Sequence, residues 1–228
     1  MNLTKTRSTF FFFISLFILI SIPVKAEVES KYLHMFGGED RTRNSDDMQF
    51  IYEATLTFNN RRDASECYVE RGFDLYSENK FDKSIARFNQ AWLLNPNNPN
   101  VYLGFGLVLD KQNKPCEASS MFKAANEKGL EQSGFFADYA HINSICALTK
   151  EQKEKEQLLS YSEQLYQKAI DTPNKRFQAY AYQNWAKTYV LQKNYLLAND
   201  KLMQAKQLGG IINNDLLENI QTNLQEVN

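Results

Sequence analysis

Helix breakers are scarce in this chain, which has only nine glycines and five prolines in 228 residues. Long stretches without them argue against a tightly turned β fold and for continuous helix. Histidine is scarcer still, with only His34 and His141 present. No His-Glu-x-x-His, Cys-x-x-Cys or Gly-x-Ser-x-Gly motif, no phosphate-cradling glycine loop and no acidic loop with calcium spacing occurs. No catalytic residue, cofactor or metal is therefore expected. Neither sign of charge dominates, with 26 Lys and Arg against 27 Asp and Glu. No basic patch of the kind that displaces counterions from nucleic acid is present, so nucleic acid is not an expected partner. The mixed run Lys150 to Glu156 reads as a solvated helix face.

One long apolar run exists, Phe10 to Ile22, broken only by Ser15 and Ser21. Lys5 and Arg7 precede it, and Pro23-Val24-Lys25-Ala26 follows with small residues at the places a signal peptidase reads. Residues 1–26 are thus expected to be a secretory leader cut after Ala26, giving a periplasmic or secreted product; an uncleaved anchor is the alternative. No cysteine follows the run where a lipoprotein needs one, and no later stretch is apolar for long enough to span a bilayer. Loss of the leader leaves 23 basic against 27 acidic residues.

What is present is a 34-residue self-match. Tyr68, Gly72, Phe81, Phe88 and Ala91 are matched 34 positions on by Tyr102, Gly106, Pro115, Phe122 and Ala125, with only Phe81 replaced by a different residue type. Small residues where helices must touch, with aromatics between them, signal stacked helical hairpins. A first hairpin runs from about Asp63 to Asn98, where Asn98 offers an N-cap and Pro99 suits the first helical position. A second runs from Pro99 to Gln132. The period then slips through a third hairpin opening at Phe135 and Phe136, where Thr149 and Gln152 suggest a capping box for an extended helix ended by Thr172-Pro173-Asn174. A fourth hairpin carries Tyr182, Trp185, Ala186 and Tyr189, then Ala198, Leu202 and Ala205, and Gly209-Gly210 stops it.

The flanks are read as follows. Residues 27–62 make an N-terminal arm with Tyr32, Leu33, Met35 and Phe36 as apolar anchors, followed by a capping helix. That helix is expected to bury Met48, Ile51, Tyr52, Thr55 and Phe58. The same segment alternates as a strand would, but helices elsewhere make helix the better fit. Residues 63–212 hold the repeats, and 213–228 a C-terminal capping helix with Leu217, Ile220, Leu224 and Val227 on one face.

Three cysteines in an exported chain raise the matter of disulfides. The layout puts Cys116 at the start of one helix and Cys146 at the end of the antiparallel helix it would touch. These two either form a bridge or serve as small buried hydrophobes. Cys67 is left over.

The units resemble the tetratricopeptide repeat. The first reads Tyr68, Arg71, Gly72, Leu75, Ser84, Phe88, Ala91 and Pro96. The second reads Tyr102, Phe105, Gly106, Leu109, Ala118, Phe122 and Ala125, with Leu130 in place of the expected proline. The fourth is a fair match with Gly210 in that place, and the third departs most. The stretch Arg87 to Gly106 also resembles small exported repeat proteins. The resemblance implies an all-α, right-handed superhelix of antiparallel hairpins that binds a protein or peptide segment in a concave groove lined by the first helix of each hairpin. Projection of the helical period places Val69, Phe73 and Tyr76, then Leu103, Leu107 and Asp110, then Ala137, His141 and Ser144, then Gln183, Lys187 and Val190 in that groove. The basic set with which the family clamps a terminal carboxylate is missing. The apolar half would need a cover, either an external segment or the chain's own Tyr32–Phe36 arm or final helix.

His141 with Asp138 and Cys146 does not converge for nucleophilic chemistry. The expected function is a non-catalytic periplasmic scaffold or adaptor for an envelope partner. The alternative is a sugar- or peptidoglycan-associated factor that uses its tyrosines as stacking platforms.

Overall fold

The computed structural model describes residues 29–38, 40–132 and 134–226, and the leader segment 1–26 lies outside the described residues. Among these, every regular element is helical: α1 (Ser45–Thr57), α2 (Arg61–Ser77), α3 (Phe81–Leu94), α4 (Pro99–Lys111), α5 (Pro115–Glu127), α6 (Phe135–Ala147), α7 (Gln152–Ile170), α8 (Lys175–Leu191), α9 (Tyr195–Gln207) and α10 (Asn214–Glu226), preceded by two short 3-10 turns. The pairs α2–α3, α4–α5, α6–α7 and α8–α9 form four antiparallel hairpins, and each second helix also packs on the first helix of the next hairpin. None of these helices is long and apolar enough to cross a membrane.

Asparagine does much of the punctuation. Asn44, Asn60, Asn98, Asn174 and Asn194 each cap a helix start by accepting a backbone N–H, with Pro99 at the first position of α4. The capping box expected from Thr149 and Gln152 does not form. Glu151 occupies the N-cap of α7, and the Thr149 hydroxyl instead donates back to the Cys146 carbonyl at 2.8 Å, closing the end of α6. Within hairpins one, two and four the turn is the same. Asn79, Asn113 and Lys193 take left-handed φ of 59°, 62° and 58°. The N–H that follows each of them bonds back to Leu75, Leu109 and Tyr189 respectively.

The seams between helices are tight enough to exclude a single carbon. A Cβ on Gly72 would lie 2.5 Å from the Phe88 ring, and one on Gly106 2.7 Å from the Phe122 ring. Gly104 makes a third such contact, 2.3 Å from the same Phe88 ring, so this fully buried ring is gripped by glycines of α2 and α4. Ser84 takes an alanine position of the repeat and makes use of its hydroxyl, which donates to the Gly72 carbonyl at 2.8 Å. Ser65 does the same toward the Ala91 carbonyl at 3.0 Å and in turn accepts from Asn98 Nδ2 at 3.1 Å, tying three helices together.

The termini finish the stack in different ways. α10 packs on α9 with Ile220 buried. The arm lies on α3, where the buried amide of Asn89 donates to the carbonyls of Lys31 (3.0 Å) and Leu33 (2.8 Å) and accepts from the N–H of Phe36 (3.4 Å). Met35 and Phe36 are held there with left-handed φ of 49° and 55°. α1 is a helix as expected, but rotated. Asp47, Ile51 and Ala54 face inward, while Met48, Tyr52 and Leu56 are exposed. Asp47 sets this orientation, because its carboxylate accepts from the N–H of Asn44 (2.9 Å) and pairs with Arg41 (2.6 Å).

Candidate protein-binding face

The first helices of the hairpins, α2, α4, α6 and α8, carry the face on which a partner was expected. Its apolar half is closed. Val69 and Leu103 are buried, as are Ala137 and Ser144, which corrects their placement as groove-lining residues. The physical reason is that α2 packs directly on α4, and α6 on α8, so these side chains are absorbed into the seams. Phe73 packs edge-on against Phe88 with ring centroids 5.1 Å apart. Leu107 also packs against the core and stays partly exposed. The apolar cover required by the sequence reading is thus supplied by neighbouring helices. The arm sits on α3 and α10 on α9.

The other half is polar and continuous across all four helices. Tyr76 of α2, Asp110 of α4, Asp138 of α6 and Tyr180 of α8 lie within electrostatic reach of one another. Asp138 accepts hydrogen bonds from the Tyr180 hydroxyl and, at 3.4 Å, from Asn184. Asn184 accepts from Lys187 at 3.0 Å. His141 shares a 3.3 Å bond with Thr188, and Thr188 shares another with the Tyr166 hydroxyl at 2.8 Å. Tyr166 donates to the Asn184 carbonyl at 2.9 Å. The row therefore brings Tyr76, Asp110, His141 and Lys187 together with Asp138 and Tyr180, with the buried Asn184 and Thr188 behind them. Gln183 stands apart, in a hollow of about 430 Å³ at the end of the stack with Arg176, Ala179 and the 208–211 segment; Tyr180 borders it too.

Desolvation marks this row. Burial raises the carboxyls of Asp110 and Asp138 above the usual range, and for Asp138 the Tyr180 hydroxyl and Lys187 pull partly the other way. Burial, followed by the nearby Lys187 charge, lowers His141 to about 4. Tyr180 is pushed up to about 12 by burial and then by Asp138. Asp110 has no hydrogen-bond or ion-pair partner among the described residues, which leaves its oxygens free for a donor from outside.

The remaining singled-out residues are placed as follows. Cys116 and Cys146 are joined, with Cα atoms 4.7 Å apart, and Cys67 is free. The sulfur of Cys146 is thereby committed, which removes it from the group it forms in sequence with Asp138 and His141. Among the described residues no cluster of His, Cys, Asp and Glu could hold a metal ion. Tyr102, Tyr139 and Tyr166 are buried, and Tyr166, Trp185 and Tyr189 stack on one another inside the fourth hairpin and its neighbour. Those rings pack the core and are not free to stack on a sugar.

Residues 72–113, from the middle of α2 to the turn after α4, match the family model described as TPR repeat. Together with the succession of paired helices, this match supports a tetratricopeptide-repeat protein. No curated protein and no solved structure gives a match to it. Tetratricopeptide repeats form protein–protein interaction modules that bind proteins or peptides, and the family is in general a non-catalytic scaffold.

Proposed function

We propose that this tetratricopeptide-repeat protein is a periplasmic adaptor that holds a segment of an envelope protein against the polar row of its first helices. The observation that carries the reading is the row itself. The first helix of each of the four hairpins contributes to it, while among the described residues the arm packs on α3 and α10 on α9. The set of groups also favours a particular kind of ligand. Desolvated carboxylates at Asp110 and Asp138, hydroxyls at Tyr76 and Tyr180 and one cation at Lys187 suit an extended polar segment rich in donors, with Leu107 and Phe73 beside it for one apolar side chain. Export is supported by the leader-like residues 1–26 and by the Cys116–Cys146 bond, a kind of link that persists in oxidising compartments.

Capture from solubilised envelopes tests this, using the wild-type protein and the Asp110→Lys and Lys187→Glu variants as bait. A partner retained by the wild type and lost from both variants is the expected result. Equal retention by variants that melt like the wild type would remove the row from the binding face.

A further inference from the structure

The arm, α1 and α3 border a second feature, open to one side, on a different face of α3 from the one that packs into the stack. It is a cavity of about 560 Å³, within the size range of small-molecule sites. Tyr32 and Phe36 of the arm, Phe50 of α1 and Leu75 of α2 supply apolar walls, and Lys83 and Arg87 of α3 stand one helical turn apart at its edge. Its walls are built, since Asn89 fastens the arm by three hydrogen bonds and Arg41 lies over the Phe36 ring at 4.4 Å.

The charges around it are unevenly committed. Of the two carboxylates at the cavity, Asp47 is taken by Arg41 and the cap of α1, and Asp46 accepts from Ser45 at 3.5 Å. Lys31 pairs with Glu29. Among the described residues Lys83 has no ion pair and Arg87 bonds only Gln90, at 2.7 Å. Two cations without carboxylate partners beside an aromatic and aliphatic wall complement a ligand with an anionic head and an apolar body. Side chains one helical turn apart can reach the two oxygens of one carboxylate, and an arginine adds a directional, charge-assisted bond.

We propose that this cavity binds a small amphipathic carboxylate, with an acyl or aryl body against Phe36, Phe50 and Leu75 and its head between Lys83 and Arg87. The site is separate from the polar row, so its test is independent of the adaptor reading. Titration calorimetry of the full chain with decanoate and with the uncharged decanamide reads it out. Decanoate is expected to bind at one saturable site, about tenfold or more tighter than decanamide, on the strength of a charge-assisted hydrogen bond. Ala86→Trp, which fills the cavity, is expected to abolish binding. Lys83→Gln combined with Arg87→Gln, both on the surface side of α3, is expected to erase the preference for the acid. Absence of saturable decanoate binding up to about 1 mM would overturn the proposal. So would decanoate affinity unchanged in the double variant, or unchanged in an Ala86→Trp protein that keeps the wild-type melting temperature.

Discussion

At the scale of single residues, His141 shows how burial turns a side chain into a stability term. Its ring is shut between α6 and α8 beside Lys187, and its pKa falls from an ordinary 6.5 to about 4. Between those values the unfolded chain binds a proton that the folded one refuses, so stability falls as pH drops from 6.5 toward 4. The full effect is about 3 kcal/mol. The raised carboxyls of Asp110 and Asp138 act with the opposite sign, since their share of stability falls as pH rises above the normal carboxylate range. The difference between two proteins therefore isolates the histidine. Melting temperatures measured from pH 6.5 to 4 are expected to fall less for His141→Gln than for the wild type, and parallel curves would refute this. Residues were legible in the sequence where the period marks them. Gly72 and Gly106 stand at equivalent places and both proved to be seams. Gly104 has no counterpart one period back, and its partner Phe88 belongs to the preceding hairpin, so only the folded chain reveals the contact. Asp138 and Tyr180 were missed as members of the polar row because the third unit is out of register and α8 presents the 180, 184 and 187 edge rather than the 183 and 187 edge.

At the scale of elements, the helices and their order were legible because breakers and caps are few and well placed. The rotation of α1 was not. An apolar stripe at Met48 and Tyr52 looks like a buried face until Arg41 and Asn44 are seen to hold Asp47 inward. The hairpin turns carry one mismatch of residue and conformation. Asn79 and Asn113 tolerate the left-handed region through their short polar side chains, whereas exposed Lys193 adopts the same φ without that advantage. Lys193→Asn is expected to raise stability by about 0.5–1 kcal/mol, seen as a higher urea midpoint at unchanged slope. A lower midpoint would show that the lysine stem makes a contact worth more than the strain.

At the scale of the whole molecule, the repeat period slips between the second and third hairpins. The structure shows what spans that join. α5 packs on α6, Phe122 stacks against Phe135 and Tyr139 with centroids 5.8 and 6.0 Å away, and the Cys116–Cys146 bond crosses the same junction, closing a loop between residues 30 apart in sequence. A loop of that length stabilises by about 3–4 kcal/mol in the chain-entropy view. Reductant is expected to lower the urea midpoint by that equivalent, and alkylation of the unreduced, denatured chain is expected to label Cys67 alone. Labelling of three thiols would contradict the bond.

The amide of Asn89 deserves a last consequence. Both of its N–H donors and one acceptor position of its oxygen are spent on main-chain groups of a segment more than fifty positions upstream, two of whose residues accept an unfavourable twist to reach it. A fragment trimmed to begin at α1 would strand that amide in a dry place with nothing to satisfy it, and would lift the lid from Met35's seat. The smallest unit that can be cut from this protein and still close on itself therefore starts ahead of Lys31, well before the first helix that carries a repeat.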